Sequence, residues 1–258
     1  MTVEVAHTEL GPAGAAPLVL SSSLGTTYSM WDPQVGALSE RFRLIRYDHR
    51  GHGGSPVPPG PYSIADLAGD VVALLDTLGI ARTSFCGLSL GGMVGLWLAA
   101  NAPDRIDRLI VVCSSAHMPP ATAWAQRART VRETGSTEAI ADAVLERWLT
   151  PAHAAAHPGE VAALRQMLIA TAAEGYASCC DAIREMDQRG RLAAIAAPTL
   201  VIAGEHDPAA PPAEHGRVIA AAVPGARFEL VGAAHLANVE LPDVIAGLII
   251  DHLELGLE

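Results

Sequence analysis

The chain has 258 residues, half of them hydrophobic and only 17% charged, enough apolar material for a large core in a single α/β domain. Its 17 basic residues, all arginine, face 28 acidic ones for a formal net charge of -11, and no basic block offsets that balance; nucleic acid and anionic membrane are disfavoured as partners. The start, Met1-Thr2-Val3-Glu4-Val5-Ala6-His7, lacks the basic and apolar regions of a secretory leader, and no apolar run approaches a membrane span, so a cytoplasmic location is expected, with Cys86, Cys113, Cys179 and Cys180 as reduced thiols.

Residues 2–9 alternate like an edge strand, 11–17 are turn-rich, and 18–22 read as a buried strand running into the small-residue loop Ser23-Leu24-Gly25-Thr26-Thr27. A short helix is expected over 33–40, a strand over 42–47, and then the polar, Gly-rich turn Asp48 to Ser55, whose charged residues brace the loop. From 63 to 79 the spacing predicts an amphipathic helix with Ile64, Leu67, Val71, Leu74, Leu75 and Leu78 on one face, Ser63 and Asp66 in its first turn and Gly79 at its end.

A short apolar run from Thr83 then enters Gly87-Leu88-Ser89-Leu90-Gly91 and continues as a helix that ends before Pro103. The bare pentapeptide G-x-S-x-G arises readily by chance in a chain with 24 glycines. Flanked by strand and helix, however, it describes a sharp turn that holds Ser89 in a strained backbone conformation with its hydroxyl thrust outward. The Leu90 N–H, at the helix start, would face the same spot as one oxyanion donor, and the loop after the second strand would supply another from Leu24.

Residues 108–113 form the next expected strand, and Cys113 at its end is a weak rival nucleophile on an apolar strand. Residues 119–191 are Ala-rich and helical, with candidate helices at 122–133, 136–148, 158–174 and 176–188. Strands return at 198–204 and 226–231, and a last helix covers 242–253. This alternation predicts an α/β fold with a mostly parallel central sheet, helices on both faces and an inserted helical lid; residues 1–118 and 192–258 make the core and 119–191 the cap.

A serine hydroxyl needs a base to take its proton, and the base needs an acid to hold its tautomer. Active sites of parallel sheets lie at the carboxyl ends of strands. Past the two late strands stand Glu205-His206-Asp207-Pro208 and Gly232-Ala233-Ala234-His235-Leu236, giving Ser89, Asp207 and His235 as the catalytic set. Glu205 and His206 stay open beside Asp207, while His215, His52 and His117 lack a strand-end position with small flanking residues. The ten histidines are scattered singly, so neither metal nor cofactor is expected.

The order Ser, Asp, His matches the α/β-hydrolases. More narrowly, the chain resembles 3-oxoadipate enol-lactonases in Ser22-Ser23-Leu24-Gly25-Thr26-Thr27 with Met30-Trp31-Asp32-Pro33-Gln34, in Tyr47 to Gly53, in Gly87 to Met93, and in two cap segments, Glu146-Arg147-Trp148-Leu149-Thr150-Pro151 and Glu174 to Asp187. Most hydrolases of this fold carry His-Gly where Ser22-Ser23 stands; Leu149 replaces an expected Phe. The resemblance implies hydrolysis of a small, carboxylate-bearing enol-lactone to 3-oxoadipate, in aromatic breakdown, through an acyl-enzyme on Ser89. An acidic protein repels such a substrate, but screening limits the repulsion to about 10 Å, so a cation inside the pocket decides. Arg147 is the first candidate for gripping the carboxylate and Arg184 the second, with Trp148 walling the pocket. A carboxylesterase, a carbon-carbon hydrolase of ring-cleavage products, a cofactor-free perhydrolase and a non-catalytic receptor are the competing readings, and oligomeric state stays open.

Overall fold

A computed structural model of the chain describes residues 1–255. Its strands are β1 (His7–Leu10), β2 (Pro17–Ser21), β3 (Arg43–Tyr47), β4 (Thr83–Leu88), β5 (Ile106–Val112), β6 (Thr199–Gly204) and β7 (Arg227–Val231). They form one seven-stranded sheet in the order β1-β3-β2-β4-β5-β6-β7, with β1 antiparallel to β3 and every other pairing parallel. Parallel neighbours need crossovers, and crossovers cover both faces; the inner strands accordingly read as unbroken apolar runs, and Phe85, Leu88, Ile110, Val111, Val201 and Ile202 are fully buried.

The helices of the core are α1 (Asp32–Ser39), α2 (Ile64–Thr77) and α3 (Leu90–Asn101); α2 packs on α3. Ser63 and Asp66 close a reciprocal capping box at the start of α2, and Leu67, Val71, Leu74 and Leu75 are its buried face, each side chain contributing about 1.5–3 kcal/mol of transfer energy. The first strand begins later than its alternation suggests. The Val3 N–H donates to Asp70 Oδ1 at 2.8 Å and the Ala6 N–H to Ser55 Oγ at 2.9 Å, so side chains take the N–H groups of this end, while the Ala6 carbonyl accepts from the Asp48 N–H at 2.9 Å.

Between β5 and β6 the chain forms α4 (Ala121–Thr134), α5 (Ala141–Trp148), α6 (Pro151–Ala156), α7 (Pro158–Ile169) and α8 (Ala173–Glu185). The span 136–148 is split, because Thr137–Ile140 tightens into a 3-10 turn before α5, and α6 is an addition that no hydrophobic period announces. Helix α4 packs on α8, and Arg132 fastens the two through Glu174 at 3.0 Å and Asp181 at 2.8 Å. Where this helical segment leaves and rejoins the sheet, His117 and Asp187 form an isolated antiparallel bridge and the Gln188 N–H donates to Ala116 O. The chain then continues through α9 (Gly216–Ala222), α10 (Ala237–Glu240) and α11 (Pro242–Glu254), which packs on α1. Among the described residues, no helix is long and apolar enough to cross a membrane.

Candidate active site

Ser89 sits between the end of β4 and the start of α3 with φ 55° and ψ -113°, a left-handed conformation that costs a non-glycine residue about 1–3 kcal/mol. The surroundings over-determine it. The Ser89 N–H donates to Val112 O at 2.9 Å, and its carbonyl accepts from Met93 N–H and the Ser114 hydroxyl. The two glycines of the turn are required by close approach: a Cβ on Gly87 would collide with the Gly91 backbone, and one on Gly91 with the Ser21 carbonyl.

The loops after β6 and β7 bring the other two groups to this hydroxyl. His235 Nε2 lies 2.8 Å from Ser89 Oγ, and His235 Nδ1 lies 2.8 Å from Asp207 Oδ2. The second carboxylate oxygen, Asp207 Oδ1, accepts from the N–H groups of Ala209 at 2.8 Å and Ala210 at 2.9 Å. Burial pushes this carboxyl up, but the His235 ring and those two N–H groups outweigh burial and hold it below its ordinary value, so it stays ionised. An ionised acid keeps the imidazole proton on Nδ1 and leaves Nε2 as the acceptor for the serine proton. The nearby alternatives are otherwise engaged. His215 Nδ1 bonds Ser115 Oγ at 2.7 Å, and the Cys113 thiol is buried and pushed far up by burial, which holds it as an inert thiol.

Neither the Leu24 N–H nor the Leu90 N–H has a partner among the described residues, so each keeps a hydrogen to donate. The next amide is spent differently: Gly25 N–H donates to His52 Nε2 at 3.0 Å, while His52 Nδ1 donates to Arg50 O. His49 Nε2 in turn donates to Ser22 O at 3.1 Å. The turn over Asp48 to Ser55 thus braces the loop that carries Leu24. Both rings are fully buried, and burial lowers His52 from 6.5 to about 4 and His49 to about 3. A ring held neutral in the fold but free to take a proton when unfolded makes the unfolded chain bind more protons, so stability is lost as pH falls from 6.5 toward 4. Urea unfolding at constant ionic strength should show a decline of up to about 3 kcal/mol per ring across that window. His52→Gln should flatten the slope; an unchanged slope would remove His52 as its source.

Above the triad a cavity opens under the helical segment. Its walls include Leu24 and Met93 from the core and Trp124, Arg127, Arg147, Trp148 and Tyr176 from the helices. Burial, then the charge of Arg127, lowers Arg147 from its ordinary value, yet a guanidinium remains protonated. Arg127 lies over the Trp124 ring, 4.7 Å from its centroid, and neither arginine has a salt-bridge partner among the described residues. Two positive charges face a largely apolar chamber. Arg184 is placed elsewhere: it pairs with the buried Asp181 at 3.0 Å and with Glu185 at 2.8 Å and lines no part of the cavity. Arg127 carried a signal that went unread, since it shares the inward stripe of α4 with Trp124, Ala128 and Val131, where an arginine is out of place unless it has something to bind.

The histidines are not all solitary. At the junction of α6 and α7, His153, His157 and Glu160 come close enough to share a cation, but they lie outside this cavity; the two rings stack 4.1 Å apart and His153 Nε2 bonds Glu160 at 2.8 Å.

The family model described as alpha/beta hydrolase fold matches residues 16–242. The chain is 42% identical to 3-oxoadipate enol-lactonase 2 of Acinetobacter baylyi over 240 residues, covering 93% of this chain and 89% of that protein. A crystal structure of the enol-lactonase from Burkholderia xenovorans LB400 superposes with a TM-score of 0.95 at 45% identity, covering 97% of this chain and 96% of that one. The chain is also 33% identical, over 95% of its length and 93% of the relative, to RutD of Klebsiella pneumoniae, which is named for carbamate hydrolysis.

Proposed function

The chain belongs to the α/β-hydrolase fold family and, within it, to the 3-oxoadipate enol-lactonases, and from that membership we propose that Ser89, His235 and Asp207 open a carboxylate-bearing enol-lactone to 3-oxoadipate. The observation that carries this reading is the pairing, in one cavity, of a hydrogen-bonded Ser-His-Asp set with two guanidinium groups that have no acid of their own. The Arg127 and Arg147 forks hold the substrate carboxylate, Trp148 closes the wall beside it, and the lactone carbonyl lies over Ser89.

His235 Nε2 takes the hydroxyl proton as Ser89 Oγ attacks the carbonyl carbon, and the N–H groups of Leu24 and Leu90 hold the oxyanion. Collapse breaks the ring carbon-oxygen bond; the enolate oxygen leaves with the proton from His235 and the enol ketonises. The acyl group now sits as an ester on Ser89. Water gives a proton to His235 and attacks that ester, a second oxyanion forms and collapses, His235 returns the proton to Ser89 Oγ, and the new carboxylic acid departs and loses its proton to solvent. In this scheme the Asp207 carboxylate only orients and supports the imidazole. The reaction belongs to aromatic compound breakdown.

Turnover of synthetic 3-oxoadipate enol-lactone, measured beside a neutral aryl ester and a carbamate, tests the reading. Fast lactone opening supports it; carbamate turnover well above lactone turnover would transfer the protein to the RutD reaction. Arg127→Ala and Arg147→Ala should each lower kcat/KM on the anionic lactone by about 10–100-fold, the worth of a charge-assisted hydrogen bond, with a much smaller loss on the neutral ester. Equal losses on both substrates would mean damage to the cavity wall instead.

A further inference from the structure

His235 stands on a loop between β7 and α10 whose neighbours are bound on two sides. On the sheet side, Ala233 O accepts from the His206 N–H at 3.0 Å, and the Cys113 thiol donates to Ala234 O at 3.7 Å. On the opposite side the partners belong to the helical segment. The Leu236 N–H donates to Trp148 O at 2.8 Å. Glu240 completes the connection: its Oε1 accepts from the Ala234 N–H at 2.7 Å and from the Thr150 N–H at 3.1 Å, and its Oε2 accepts from the Thr150 hydroxyl at 2.6 Å. The residues before and after the histidine are therefore each tied to the three-residue stretch Trp148-Leu149-Thr150, and that stretch directly follows Arg147.

We propose that Glu240 is a positioning residue that fastens the His235 loop to the Trp148–Thr150 arm, so that the base and the arginine that grips the anion keep one fixed separation. This rests on the reading of His235 as the base. The physical ground is that a carboxylate accepting three hydrogen bonds from two segments distant in sequence leaves neither free to shift alone. One oxygen is shared between an amide of each segment, and the other is committed to the cap side. A consequence is that this end of the helical segment does not lift away from the sheet during turnover.

The test uses two readouts of the base, the rate of Ser89 labelling by a fluorophosphonate and kcat on a neutral aryl ester, together with enol-lactone turnover. Glu240→Ala should slow labelling and ester turnover by about 10–100-fold, the loss that a displacement of about 1 Å produces in a reacting pair. Glu240→Gln keeps the shape and an acceptor for the Ala234 amide, and should restore most of the rate. Thr150→Val removes the hydroxyl at the other end of the link and with it the cap of α6, so its melting temperature falls in any case; it should slow labelling on its own, and added to Glu240→Ala it should slow labelling no further, since the link is already cut.

Wild-type labelling rates in Glu240→Ala, with only the melting temperature lowered, overturn the proposal, as do losses that multiply in the double variant. If Glu240→Ala fails to fold, Glu240→Asp decides: a carboxylate one methylene shorter cannot reach both segments, so slower labelling supports the link and an unchanged rate refutes it. Absence of lactone turnover in the wild type would instead defeat the substrate assignment, while labelling and ester hydrolysis still report on Glu240.

Discussion

Replacing Ser89 by alanine is expected to lower kcat by about 10⁵–10⁶-fold, leaving only the contribution of substrate binding and the oxyanion donors. The size follows from the arrangement. His235 Nε2, 2.8 Å from Ser89 Oγ, is aligned to activate that one oxygen, and a methyl group in its place leaves the base with nothing to deprotonate except water held at no defined position. The same variant should lose all labelling by a fluorophosphonate while keeping its fold, because the strained backbone at residue 89 is imposed by bonds to Val112, Met93 and Ser114 that do not involve the side-chain oxygen. His235→Ala should cost a comparable factor, and the double variant little more than either alone, since the two act as one unit. Lactone turnover surviving in Ser89→Ala at more than about a thousandth of the wild-type rate would show that the acyl-enzyme route is wrong.

The second large effect concerns Asp207→Asn, for which a loss of about 10⁴-fold in kcat is expected with little change in KM. Asp207 Oδ1 is claimed by two backbone donors, Ala209 and Ala210, so an asparagine would keep its carbonyl oxygen there and turn its amide toward His235. A donor facing Nδ1 forces the ring proton onto Nε2, and the imidazole then meets Ser89 with an N–H instead of a lone pair. Volume and burial are unchanged; only the tautomer is reversed. Nitrogen-15 chemical shifts of the His235 ring in wild type and variant check this directly. A ring that keeps its proton on Nδ1 in the variant, together with a lost rate, would require another explanation.

Much of this was legible along the chain because the relevant signals are local. The elbow announces itself within five residues, α2 carries its cap and its apolar face in its own spacing, and the acid and base each follow a recognisable strand. Three parts were not legible for a physical reason. Helix α6, Pro151–Ala156, is too short to show a period, and it stands because Thr150 caps it through the His153 amide. Arg147 and Arg184 look alike as letters, and only tertiary structure shows that one faces the cavity without an acid while the other is neutralised by Asp181 and Glu185. The role assigned to Glu240 had no sequence signature at all, because two of its three partners are backbone amides and two of the three belong to Thr150, 90 residues away.

The strands that deliver the three groups differ in how well they are held. Ser89 leaves β4, near the middle of the sheet, whereas His235 follows β7, which is paired on one side only and whose Leu230 is 42% exposed. Edge strands open in small excursions long before a core melts. The flank that carries the base is thus expected to loosen before the centre that carries the nucleophile: once heat or denaturant breaks the ties of the His235 loop, catalysis should fade in a protein that still looks folded to a probe of its interior.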